Sequence, residues 1–105
     1  MKLVFLMYLE EDDAALQDML RSQKVTTWSR VTLEGHATGT LGWYGDVAPY
    51  PSRMVFSVMP APQAEQLMEA VANCTSCQDK AHPLRALQVD VERAVSSGSA
   101  PFFAA

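Results

Sequence analysis

The sequence predicts an α+β domain, a four-stranded antiparallel sheet with two helices on one face. Three observations carry that expectation. Apolar residues alternate as in strands, then recur with helical spacing, in the order β-α-β-β-α-β. The chain has 105 residues, enough for one core and not for two. Its composition, 49% hydrophobic and 19% charged, is that of an ordinary globular protein.

The first strand is expected over residues 2–9, a short apolar run in which Val4, Phe5 and Tyr8 favour extended backbone. The acidic cluster Glu10 to Asp13 comes next and suits a helix N-terminus, where carboxylates meet exposed N–H groups. Ala15, Leu16, Met19 and Leu20 then form a helical stripe ending near Ser22, with the methionines read as core filling. "VTTWSRVTLEG" is rich in β-branched residues and sets Val31 and Leu33 against Arg30, Thr32 and Glu34, a strand with one drier face that ends at Gly35. The stretch "HATGTLGWYGDVAPYPS" shows no regular period. A connection this long in a compact domain is functional or disordered, and Leu41, Trp43, Tyr44 and Tyr50 argue against plain disorder.

"RMVFSVM" restarts the β pattern at Arg53. In "PAPQAEQLMEAVAN", Pro62 fits a first helical turn, and Ala64, Leu67, Met68, Val71 and Ala72 share one face. "PLRALQVDVE" alternates Leu87, Val89 and Val91 against Gln88, Asp90 and Glu92, a last strand beginning at Leu84. Residues 1–95 are thus expected to form the domain, and the Ser/Gly/Ala-rich residues 96–105 a flexible tail. The element order is that of the split βαβ, or ferredoxin-like, arrangement. With both helices on one face, the apolar residues of the other face call for cover by a second subunit.

A formal net charge of −4 excludes the basic footprint that a nucleic-acid binder needs. No basic run would hold the chain on an anionic membrane. The apolar stretch Leu3 to Leu9 is too short to span a bilayer, and the acids that succeed it do not make a signal-peptide cleavage site, so a cytoplasmic location is expected.

"MKLVFLMY", the acidic helix, "VTTWSRVTLEGHATGTLGWYGDVAP" and the closing "HPLRALQVDVERAV" together resemble the PII-like signalling superfamily over roughly residues 2–95. The resemblance implies a homotrimer whose sheets face inward, with effector sites in the clefts between subunits. It implies a sensor, not an enzyme, acting on a partner such as a membrane transporter or an enzyme. The loops framing the cleft would be residues 35–52 and 73–83, with the last strand beside them. Gly35, His36, Trp43, Arg53 and Arg85 are the implied effector residues. Arg30 and Lys80 are further donors for an anion. The chain departs from the family where "CTSCQDKAHP", with no glycine, stands at the usual nucleotide loop, which puts an adenine nucleotide in question.

That same stretch holds the chain's two cysteines. Cys74 and Cys77 are spaced to chelate one ion, and His82 can supply a third ligand for zinc or copper. A redox pair and inert thiols are the competing readings. A thioredoxin-type catalyst does not fit, because the C-x-x-C comes after a helix instead of opening one. A soft-metal binding or tolerance protein using these three residues is therefore one alternative. A small dimeric ferredoxin-like enzyme of monooxygenase type, with His36 and Trp43 in its cleft, is another. Nucleophile–base sets and phosphate-binding glycine motifs are not visible in the sequence.

Overall fold

The computed structural model describes residues 1–36, 50–75, 77 and 82–98. Most of the long aromatic connection and of the expected tail therefore lies outside the described residues. Strand β1 (Lys2–Leu9) leads through a one-turn 3-10 helix (Glu10–Asp12) into helix α1 (Asp13–Ser22). Strands β2 (Ser29–Gly35) and β3 (Tyr50–Met59) come next, then helix α2 (Ala61–Ala72) and strand β4 (Leu84–Asp90). The sheet order is β2-β3-β1-β4, with every neighbouring pair antiparallel. This is the expected ferredoxin-like arrangement.

Alternation along the two central strands decides where the core lies. Val4, Leu6 and Tyr8 of β1 and Val55 of β3 are at most 1% exposed. They pack with Leu16 and Leu20 of α1 and with Ala64 and Leu67 of α2 in one cluster. Both helices therefore cover the same face, and each fully buried Leu there contributes about 1.5–3 kcal/mol.

Helix α1 ends in a Schellman motif. Val25 N–H donates to Leu20 C=O at 2.9 Å and Lys24 N–H to Arg21 C=O at 3.1 Å. Lys24 takes the left-handed position, φ 60°, that usually goes to glycine. Val25 is buried beside Leu20 in the core, which supplies the hydrophobic contact of the motif.

The opposite sheet face carries Leu3, Phe5, Met7, Met54, Phe56 and Val58 on the central strands, all half-buried. Phe5 and Phe56 are register partners, their ring centroids 6.4 Å apart. Val31 on β2 and Leu87 and Val89 on β4 extend the patch and are exposed, Leu87 by 51%. The drier side of β2 thus faces away from the helices, because the helical layer covers the sheet centre and leaves Thr32 and Glu34 exposed on its own side, where Arg30 reaches Asp13 of α1.

Strand β3 starts three residues before the predicted Arg53 and includes Pro51. A proline is tolerated there because β1 has ended: its last partner on β3 is Ser52, so Pro51 faces β2 alone. Strand β2 is shorter than the predicted run. Val25 and Trp28 pack against the core from the connection before it.

Candidate functional site

The end of β1 and the start of β4 are register partners, Tyr8 opposite Leu84. Antiparallel pairing therefore sets the turn after β1 beside the connection that enters β4. The acidic turn and His82 meet for that reason, although seventy positions separate Asp12 from His82. His82 Nδ1 lies 2.9 Å from Asp12 Oδ1 and 3.9 Å from Glu11 Oε1. Asp12 Oδ2 is buried and has no hydrogen-bond partner among the described residues.

Cys74 comes two residues after the end of α2, its N–H donating to Val71 C=O at 3.3 Å. It is joined to Cys77 in a disulfide, with Cα atoms 5.3 Å apart. The disulfide, His82 and Asp12 line one cavity of about 320 Å³, whose apolar wall comes from Leu16, Met19, Pro83 and Leu84 and whose lining includes Tyr8. The sequence-predicted ligands Cys74, Cys77 and His82 thus share a cavity, but His82 is hydrogen-bonded to Asp12 and each sulfur is bonded to the other.

A second cluster adjoins the cavity at Tyr8. The Tyr8 hydroxyl donates to Asp13 Oδ1 at 2.6 Å. Asp13 Oδ2 accepts from Gln17 at 2.7 Å and from Arg30 at 2.8 Å. Arg53 lies 3.4 Å from Asp13 and 3.2 Å from Glu10. Burial pushes the Asp13 carboxyl up, but the hydrogen bonds from Tyr8 and Gln17 and the charges of Arg30 and Arg53 outweigh it and hold it below the usual carboxylate range. Burial, and then the bond to Asp13, push the Tyr8 phenol well above its ordinary value. The first-turn acids expected to serve the helix N-terminus are therefore committed to tertiary partners. Neither helical turn has a side-chain cap at its start.

The effector residues implied by the sequence are dispersed within one chain. Gly35 is buried at the end of β2 opposite Tyr50. His36 is exposed and 2.7 Å from Glu34. Arg53 lies on the helix side of the sheet with Asp13, whereas Arg85, paired with Met7, is exposed on the other side. Trp43, Tyr44 and Lys80 lie outside the described residues.

No family model and no curated protein matches the chain. Solved structures do match. A PII-like signalling protein from Thermus thermophilus superposes with a TM-score of 0.63 at 11% identity, over 86% of this chain and 85% of that one. CPII, a nitrogen regulatory PII-like protein from Thiomonas intermedia solved with ADP, AMP and bicarbonate, superposes with a TM-score of 0.59. Identity to it is 16%, over 90% of this chain and 94% of that one. Its apo form gives 0.56 at 17% identity, over 89% and 92%.

The fold is that of the PII-like signalling proteins.

The PII-like fold explains why some site residues carry no signal in the sequence. Glu11 and Asp12 are ordinary helix-start residues in sequence, and nothing local marks them as neighbours of His82. The signal that finds them is the β1–β4 pairing, which the ferredoxin-like order already implies. Tyr8 is likewise an apolar strand residue in sequence, and only the position of α1 against β1 makes it the donor to Asp13.

Proposed function

We propose that the chain is a member of the PII-like superfamily that acts as a regulatory protein, sensing a small effector in clefts between the subunits of a homotrimer. The observation that supports this reading most directly is the apolar sheet face, running from Val31 across Met54, Phe56 and Phe5 to Leu87, which no helix covers among the described residues. Exposed apolar patches of this kind mark protein interfaces, and PII-like trimers turn their sheets inward. Assembly also gives the dispersed residues a use. Gly35 and His36 from one subunit can approach Arg85 of another and so complete a cleft between subunits.

CPII was solved with ADP, AMP and bicarbonate, and these are the effectors to test first. The nucleotide loop of the family is replaced here by the disulfide-bearing connection before β4. An anion held by arginine is the part of that chemistry the residues support best. The trimer acts on a partner protein, such as a transporter, instead of catalysing a reaction, and works in the cytoplasm. Among the described residues no helix is long and apolar enough to cross a membrane.

Sedimentation equilibrium tests the assembly: three chains per particle at micromolar concentration is the expected result, and a monomer overturns it. Calorimetric titration with ADP, AMP and bicarbonate, each alone and in pairs, tests the effector. Heat of binding with at least one is expected, and none from any of the three removes them as effectors.

A further inference from the structure

The cavity between α1 and the start of β4 combines features that the regulatory reading does not use. Two cysteines, a histidine and an aspartate open onto one space of about 320 Å³. Zinc takes four ligands in tetrahedral geometry from this set of residue types. By sequence the chain offers three, Cys74, Cys77 and His82. The fold brings a fourth, Asp12, to within 2.9 Å of His82 Nδ1. Two ligand atoms about 2 Å from a tetrahedral ion are separated by roughly 3.3 Å, so these two groups need little adjustment.

Asp12 Oδ2 supplies an independent reason. It is buried with no hydrogen-bond partner among the described residues. A carboxylate oxygen in that condition is costly, and a cation beside it removes the cost. The sulfurs are conditional ligands, because in the disulfide they have no thiolate to offer.

We propose that this cavity is a redox-gated zinc site, closed as the Cys74–Cys77 disulfide and opened by reduction to a Cys74, Cys77, His82, Asp12 ligand set. A dithiol reductant delivers two electrons and two protons. The sulfur–sulfur bond breaks, two thiols form, and the reductant leaves as its own disulfide. Zinc then displaces both thiol protons and forms two zinc–sulfur bonds, while His82 and Asp12 complete the tetrahedron. In the oxidised form only Glu11, Asp12 and His82, among the described residues, have donor atoms within 4.8 Å of one another; opening the disulfide frees the sulfurs to close on them. Zinc affinity thereby reports thiol redox state. The site lies within one chain and does not rest on the trimer or its effector.

The test uses the full chain in two states, oxidised by diamide and reduced by a phosphine that binds metal poorly. Zinc is titrated against a chromophoric chelator, and cobalt(II) is used as a spectroscopic probe. The reduced protein should bind one ion per chain at least about 100-fold more tightly than the oxidised protein, since two ligands are gained. Its cobalt form should show the intense thiolate-to-metal band of a tetrahedral sulfur site. Asp12→Asn should keep that band and weaken zinc binding by roughly 10-fold or more. Indistinguishable affinity in the two redox states, or no thiolate band, overturns the site. A band with Asp12→Asn affinity unchanged overturns the four-ligand set. Loss of the far-ultraviolet dichroism on reduction would do the same, since the site needs a folded reduced state.

Discussion

Asp13 is the residue on which the end of the sheet depends. It ties α1 to three strands through Tyr8, Arg30 and Arg53, and its side chain is only 18% exposed. Asp13→Asn is expected to cost about 1–3 kcal/mol, since it leaves two guanidinium groups without their shared partner. The carboxyl is held below its ordinary value in the folded state. Its contribution is therefore present above the unfolded-state value, about 3.9, and is lost as pH falls through the lower folded value. Urea midpoints measured between neutral and acid pH should converge for wild type and Asp13→Asn at the acid end. Midpoints that stay equally separated would contradict this. Tyr8→Phe should cost about 1 kcal/mol and shrink the same acid dependence by removing one donor to Asp13.

At the scale of elements, the C-terminus of α1 shows a local choice that tertiary structure tolerates. The Schellman motif needs a left-handed residue, and Lys24 fills the place at φ 60°. Lys24→Gly relieves the side-chain clash of that conformation but enlarges the unfolded ensemble, so a net gain of about 0.5–1 kcal/mol is expected. Denaturant titration measures it. A loss would mean that the lysine side chain contributes more than its backbone strain costs. Leu20→Ala, in the same motif and 1% exposed, should instead cost about 2–5 kcal/mol through the cavity it leaves.

At the scale of the molecule, the sheet has one face closed by helices and one that no helix covers among the described residues. Leu87 and Val89 are 51% and 46% exposed there. Replacing both with glutamate should leave the secondary structure of the chain intact, because neither contributes to the core cluster. The same pair should convert the expected trimer to monomer, read by light scattering after gel filtration, because a buried unpaired carboxylate is prohibitive at an interface. A trimer that survives both changes would place the interface elsewhere.

The order of elements, the buried centre of each helical stripe (Leu16 and Leu20, Ala64 and Leu67) and the start of β4 were legible in the sequence, because each arises from local periodicity, whereas Ala15 and Ala72 at the stripes' ends are exposed. Pro62 in the first turn of α2 and Leu84 opening β4 fell where their chemistry put them. What the periodicity of β2 could not say was which face its dry side would take. That depends on how far the helical layer reaches, and here, of Arg30, Thr32 and Glu34, it meets only Arg30 and leaves the other two exposed. The disulfide was one of several states that the C-x-x-C spacing allowed, and the chain's path after α2 brings the sulfurs together. The partners of His82 were beyond any local pattern. Sequence alone determined that a C-x-x-C and a histidine share the connection before the last strand. Tertiary structure decided that Glu11 and Asp12 stand beside them, because antiparallel pairing of β1 with β4 joins residues far apart in the chain.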